Sequence, residues 1–229
     1  MIKSGILLEM TDIHSHILPG VDDGSPDMAT SLSLLAYMEK LGIRKAWITP
    51  HIMEDYPNTK EKLENTFRQL REEYSGSIQL LLGGEYMLDS GFQARLQQPV
   101  LSLNQQLLLV ETSYMYAPNG MDSLLLDIHN KGYKPLIAHP ERYMYMEAAD
   151  YQSLKNKGYL FQLNLMSLSG YYGKRPKLVS EDLLQKGWYD YVGSDLHHLE
   201  RYQPMLDQLT LKKEQLDQLA RLIENNSSI

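Results

Sequence analysis

The sequence predicts an α/β fold of parallel strands, a slightly short barrel, on three observations. Short apolar runs alternate seven times with amphipathic helical stretches along the 229 residues. Several of the helical stretches close on glycine, as at Gly42, Gly132 and Gly187. Each apolar run ends in a polar residue able to bind metal. Repeated strand–helix order implies parallel strands joined by right-handed crossovers. An open doubly wound sheet is the alternative, because periodicity does not distinguish a closed sheet from an open one. No repeat or linker divides the chain, so residues 1–229 are expected to form one domain.

The run ILLEMTDIH (6–14) reads as the first strand. Ser25 and Pro26 look like an N-cap and first helical residue for a helix over 27–42. KAWITPH (45–51) is the second strand. Asn58 with Glu61 resembles a capping box, opening a helix over 59–74. A third strand, SIQLLLGGEY (77–86), precedes a short helix over 91–98. Strands follow at 106–113, 134–140, 160–167 and 190–195, separated by helices near 121–131, 147–157 and 178–187. A last amphipathic helix over 203–225 is expected to cover an open edge of the barrel, the commoner use of such a helix, or to mediate assembly.

Composition excludes several classes. Net charge is −7 and no segment gathers Lys and Arg into a basic stripe, which argues against nucleic acid as the main partner. No run is apolar enough to cross a membrane. The opening MIKSGILLEM lacks a small-residue cleavage site and reads as part of the first strand, so a cytoplasmic protein is expected. Cysteine is absent, which removes disulfides, thiolate metal sites and cysteine nucleophiles together. Any chemistry must use oxygen and nitrogen groups.

Those groups fall at the strand ends. The first strand ends at His14 and His16, the second at His51, the third at Glu85 and the fourth at Glu111. The fifth ends at His139, the sixth at Asn164, and the seventh at Asp195 with His197 two residues on. In parallel α/β folds the carboxyl ends of the strands converge on one ligand-binding face. Residues two apart on a strand point the same way, so Asp12, His14 and His16 can share a face. A lone histidine or glutamate at a strand end is ordinarily a hydrogen-bonding residue. Five histidines and three carboxylates at predicted strand ends together form a pocket that repels itself unless cations fill it. Nitrogen and oxygen donors suit Mn, Fe or Zn, and so many donors imply two or three ions. Such centres orient and activate water for in-line displacement at phosphorus.

In order along the chain, DIHSH, TPH, GGE, VE, AHPER and SDLHH resemble the PHP superfamily of metal-dependent phosphoesterases. Within it, DIHSHILPGVDDGS, IAHPERY and GSDLHH are similar to the capsule- and exopolysaccharide-linked tyrosine phosphatases. The resemblance covers nearly the whole chain. It implies a distorted (β/α)7 TIM-like barrel with a trinuclear site, often manganese-loaded. Carried over by position, His14, His16, His51, Glu85, Glu111, His139, Asp195 and His197 are the implied metal ligands. One VDDG aspartate is implied to join them, Asp23 ahead of Asp22. Arg142 of HPER is implied to grip the phosphate, as its planar fork suits.

The implied activity is hydrolysis of phosphotyrosine by a metal-activated hydroxide, with no phosphoenzyme. Asp22, Asp23 and His51 are the candidates to protonate the leaving phenolate. The implied substrate is the tyrosine-rich tail of a bacterial kinase controlling polysaccharide export. Tyr171, Tyr172, Lys174 and Arg175, in a predicted loop over 169–177, are candidate substrate contacts, with Tyr56 a further one. Asn164 is expected to hydrogen-bond to substrate or to a ligand, His129 to be structural, and His198 to point away from the site. The alternatives are a small-molecule phosphatase, such as one acting on histidinol phosphate, and a metal-binding scaffold without activity.

Overall fold

The computed structural model describes residues 5–229. Among these, nine short strands form two all-parallel sheets. One has the order β1 (Thr11–Asp12), β2 (Lys45–Ile48), β4 (Gln79–Leu82). The other has the order β3 (His51–Ile52), β5 (Glu85–Met87), β6 (Leu107–Glu111), β7 (Lys134–Ala138), β8 (Leu160–Asn164), β9 (Tyr191–Gly193).

Each predicted strand contains an observed one, and two are broken in the middle. The second predicted strand splits into β2 and β3 at Thr49–Pro50, and the third into β4 and β5 at Gly83–Gly84. The register explains the shared position: Ile48 pairs with Leu82 and His51 with Glu85, so both breaks lie at one level. Pro50 has no N–H to give. The Thr49 N–H turns instead to the Ser15 carbonyl, at 2.8 Å. That bond draws the segment after β1 against β2. The same segment meets the last strand through a parallel bridge between Ser15 and Leu196. There the His16 N–H donates to the Leu196 carbonyl at 3.0 Å, and the Asp195 N–H to the His14 carbonyl at 2.8 Å. First and last strands are therefore joined at their carboxyl ends, and the sheet curls into a TIM-barrel-like form.

Strand parity sorts the core into two layers. Leu107 and Leu109 of β6, Leu136 and Ala138 of β7, and Leu160 of β8 line the interior with Ile13, Trp47 and Ile229. The alternate residues Leu108, Val110, Ile137, Phe161 and Leu163 face the helices. Continuing the inward parity brings Glu111, Gln162 and Asn164 above this apolar floor.

The helices are α1 (Met28–Leu41), α2 (Lys60–Glu73), α3 (Phe92–Leu96), α4 (Met121–Asn130), α5 (Ala148–Asn156), α6 (Lys174–Gln185), α7 (Leu199–Gln208) and α8 (Lys213–Asn226). Several expectations need correction. Most of the run 6–14 is not strand: residues 6–9 form turns, and residues 1–4 lie outside the described residues. The turns end at Glu9, whose φ of 65° is incompatible with a strand. The N-cap of α1 is Asp27, whose carboxylate accepts from the Thr30 N–H at 2.8 Å, while the Ser25 hydroxyl donates to the Asp27 carbonyl. Thr59, not Asn58, caps α2; the Asn58 amide instead donates to the Val21 and His51 carbonyls, tying two loops of the site face together. Helix α6 begins at Lys174, four residues early, because Pro176 is tolerated in a first turn where its missing N–H has no partner to lose. Residues 165–169, taken as the end of a strand and the start of a loop, form a 3-10 helix. The final helix is two helices: Leu209 is extended and buried, and the Gln215 side chain accepts from the Lys212 N–H to start α8.

Helix α8 covers the seam between β1 and β9, as the sequence leads one to expect of it. Its Asn226 is fully buried and donates to the Thr11 and Val192 carbonyls at 2.8 and 2.6 Å, while accepting from the Val192 N–H at 3.2 Å. One amide thus satisfies three backbone groups that no strand reaches. Asn226→Ala leaves them buried without partners, and denaturant unfolding is expected to show a loss on the order of 3 kcal/mol.

Candidate metal centre

All of the predicted strand-end donors meet on the carboxyl face. His14 and His16 follow β1, His51 opens β3, Glu85 opens β5 and Glu111 ends β6. His139 follows β7, and Asp195 and His197 follow β9. Two of these residues hold left-handed backbone, His139 with φ 32° and Asp195 with φ 51°. Non-glycine residues adopt that region rarely, and such strain concentrates at functional sites. Here it turns each side chain from the strand direction into the centre.

Four overlapping donor groups result. They are His14, His16 and Asp195; His14, Glu85 and His139; His51, Glu85 and Glu111; and His16, Asp23, His51 and His197. These are the nine residues singled out in the sequence. Glu85 belongs to two groups, with one oxygen 3.3 Å from His14 Nε2 and 3.0 Å from His139 Nε2, and the other 3.1 Å from His51 Nδ1. Asp195 Oδ1 lies 3.4 Å from Nε2 of both His14 and His16. Apart from Asp23 and His197, the donors are buried.

Several donor atoms lie close together without pairing. His51 Nδ1 is 2.9 Å from Glu111 Oε1, yet neither atom makes a hydrogen bond of acceptable angle. Glu85 Oε2 and His139 Nδ1 are likewise buried without partners. The Nε2 atoms of His14 and His16 face each other at 3.1 Å. Three of the histidines have their other nitrogen held by a separate acceptor. His14 Nδ1 lies 3.0 Å from Gln162 Oε1, and His16 Nδ1 lies 2.9 Å from Asp22 Oδ2. His197 Nδ1 lies 2.9 Å from the Asp195 carbonyl. Each acceptor favours N–H on that side, leaving the Nε2 lone pair inward, the arrangement found around metal-ligating histidines. Electrostatics agree. Burial opposes charge on His14, but Glu85 and Asp195 push its pKa up. Burial likewise opposes charge on Glu85, but His14 and the other imidazoles hold its pKa well below the carboxylate range. The carboxylates require positive charge, and divalent cations fit this donor set.

Asp22 and Asp23 separate clearly. Asp22 accepts from His16 Nδ1, the His51 N–H and the Gly24 N–H, so it orients two donors from behind. Asp23 is half exposed, with Oδ1 3.3 Å from His51 Nε2 and 3.6 Å from His197 Nε2. Gly24 enforces this arrangement, since a Cβ there would lie 2.1 Å from the His16 carbonyl oxygen.

Arg142 lies beside the donors. Its guanidinium is sandwiched between the rings of Tyr114 and Tyr172, 4.3 and 3.9 Å from their centroids, and Nη1 donates to Asp195 Oδ2 at 2.7 Å. The same oxygen accepts from Asn164 Nδ2 at 2.7 Å and from the Tyr172 hydroxyl at 3.2 Å. Asn164 therefore bonds to a donor residue, one of the two roles expected of it.

The remaining candidates divide. Tyr171 stacks edge-on against Tyr172 and lines a 740 Å³ cavity with Asp22, Asp23, His198 and Arg201. Tyr56 stacks over His51 at 5.9 Å. Lys174 is exposed in the first turn of α6, not in a loop. Arg175 donates to the Met144 and Met146 carbonyls and pairs with Glu147, bracing the loop after β7. His129 is exposed on α4, and His198 is exposed at the start of α7. Asp12 does not join the centre: it accepts from the Ser194 N–H and hydroxyl, and burial pushes its pKa up to about 6 against those bonds. The sequence reading missed Gln162 and Tyr114. Inward parity with Asn164 marks the first; position three residues after Glu111 marks the second.

Residues 10–228 match the family described as capsular polysaccharide synthesis, CpsB/CapC. The chain belongs to this family. It is 32% identical over 201 residues to the tyrosine-protein phosphatase YwqE of Bacillus subtilis, covering 83% of this chain and 78% of that protein. It is 29% identical over 216 residues to the tyrosine-protein phosphatase CpsB of Streptococcus pneumoniae, covering 87% of each. The fold superposes with a TM-score of 0.74 and 28% identity on a chain from the crystal structures of YwqE and CpsB, described as unique metal-dependent tyrosine phosphatases, over 94% of this chain and 95% of that one. A histidinol phosphate phosphatase from Lactococcus lactis, crystallised with zinc, matches with a TM-score of 0.52 and 13% identity over 96% of this chain and 94% of that one, which shows the shared fold alone.

Cations that bind only the folded cluster stabilise it by mass action. Adding Mn to chelator-stripped protein at a free concentration one thousand times its Kd is expected to raise stability by about 4 kcal/mol in thermal unfolding. Glu111→Ala is expected to lose most of that gain.

Proposed function

We propose that the protein is a metal-dependent tyrosine-protein phosphatase acting in capsule or exopolysaccharide production. The observation that carries this reading is the nine-donor cluster with Arg142 beside it, in a cysteine-free chain of the CpsB/CapC family. We assign His14, His16, Asp23, His51, Glu85, Glu111, His139, Asp195 and His197 as ligands of two or three ions. Manganese is the favoured metal, and Fe or Zn also suits these donors. When bound, such ions act as Lewis acids at phosphoryl oxygens and activate the attacking water.

The chain's own residues do the rest. Arg142 has five N–H donors, and the bond to Asp195 uses one, so others are free to donate to phosphoryl oxygens. The Tyr114 and Tyr172 rings hold the guanidinium in plane beside the cluster, which fixes the phosphate before reaction. Asp22 is enclosed by three hydrogen bonds and orients His16 and His51 rather than touching substrate. Hydrogen bonds from His197 and His51 hold the Asp23 pKa down, so its carboxyl stays ionised and suits a cation better than proton donation. Both ring nitrogens of His51 face the donor groups, so it too suits a cation better than proton donation, and water at the open mouth is left to protonate the phenolate. With a phenol pKa of about 10, tyrosine is a good enough leaving group for a weak acid to suffice. The natural substrate we favour is the phosphotyrosine tail of a kinase controlling polysaccharide export.

The test is phosphate release by chelator-stripped protein, before and after Mn is restored, from a phosphotyrosyl peptide and from histidinol phosphate. Activity is expected to return with Mn and to favour the peptide. A preference for histidinol phosphate would keep the centre and replace the substrate. Arg142→Lys keeps the charge but loses the stacked planar fork. It is expected to lower kcat/KM roughly a hundredfold, with metal content unchanged by elemental analysis.

A further inference from the structure

Four of the seven large apolar side chains exposed among the described residues gather beside the centre. Tyr114 is 38% exposed, Met115 58%, Tyr116 74% and Met144 42%. They lie on two loops, one after β6 and one after β7, joined by the Met144 N–H donating to the Tyr114 carbonyl at 2.7 Å. The first loop, TSYMYAPNG over 112–120, carries no charged residue in a chain of net charge −7. An apolar patch of this kind beside a polar centre marks a binding surface. It is continuous with the centre through Tyr114, whose ring lies 6.0 Å from that of His139 and 4.3 Å from the Arg142 guanidinium.

We propose that Met115, Tyr116 and Met144 form a docking surface for an apolar or aromatic side chain next to phosphotyrosine in a polypeptide substrate. The proposal rests on the phosphatase reading above and adds the sequence preference. An extended chain rises about 3.3 Å per residue, so residues adjoining a phosphotyrosine held at Arg142 reach these loops. A small phosphate ester has nothing to place there. A second copy of this chain docked on the patch would cover Tyr114 and close the mouth of the centre. Four side chains also fall short of the roughly 800 Å² per partner of a stable interface.

The experiment compares the metal-loaded wild type, a Met115→Ser/Tyr116→Ser double variant and a Leu126→Ser control. Leu126 is also an exposed apolar side chain but lies on α4. Each is assayed on two phosphotyrosyl peptides, one with Leu and Phe flanking the phosphotyrosine and one with Ser and Gly. Wild type and control are expected to prefer the apolar-flanked peptide about tenfold in kcat/KM, through KM, and the double variant to lose that preference. An unchanged preference in the double variant, or equal losses on both peptides, overturns the proposal. So does light scattering that shows a wild-type dimer becoming a monomer in the double variant. Wild type that hydrolyses both peptides without preference overturns the docking surface alone; wild type that hydrolyses neither overturns the phosphatase reading beneath it.

Discussion

The whole carboxyl face is organised around mutual repulsion among three buried carboxylates, Glu85, Glu111 and Asp195, held within one group of imidazoles. Isolated buried charges of one sign are costly by several kcal/mol each, so the cluster persists only with compensating positive charge. Protons on the histidines provide part of it, which is why His14 is pushed toward the charged form. Divalent cations provide it better, because each concentrates two charges where several lone pairs converge. The unpartnered atoms of Glu85, Glu111 and His51 express that convergence.

Rigid surroundings keep the repelling groups together. Below them lies the apolar interior formed by β6, β7 and β8, which leaves the charged groups no room to retreat. Behind them, Gln162 and Asp22 hold His14 and His16 by their outer nitrogens. Asp12 and Ser194 tie the first strand to the last beneath Asp195. Gly193 allows that approach: a Cβ there would lie 2.6 Å from the His14 Cβ. The left-handed backbone at His139 and Asp195 is tolerated because strands on both sides fix its position.

This division explains what was legible in the sequence. Strand-end donors are readable because parallel strands bring their carboxyl ends to one face whatever the loops do. Eight of the nine donors come together for that reason; Asp23, on the loop after β1, was implied by the resemblance alone. Helix starts were less legible: Ser25–Pro26 and Asn58 carry the right residue types, but those side chains serve loop contacts, and Asp27 and Thr59 cap the helices. The break at Thr49–Pro50 goes with a backbone bond to Ser15, a residue remote in sequence, and the break at Gly83–Gly84 follows it in register. Arg175 has a charge suited to phosphate, yet its guanidinium donates to the Met144 and Met146 carbonyls. Tyr114 escaped notice because its role depends on Arg142 coming between it and Tyr172.

Asp195 connects the donor cluster to Arg142. Its Oδ1 faces His14 and His16, while Oδ2 accepts from Arg142, Asn164 and Tyr172. On the reading proposed above, a cation held at Oδ1 would withdraw charge from the carboxylate and loosen its hold on Arg142, while Asn164 and Tyr172 would keep Oδ2 satisfied and the carboxylate in place. The rings of Tyr114 and Tyr172 on either side of the guanidinium would keep any turn toward a phosphoryl group within their own plane. Metal loading and phosphate grip would thereby be linked through one carboxylate, whose left-handed backbone holds it where both of its oxygens are used.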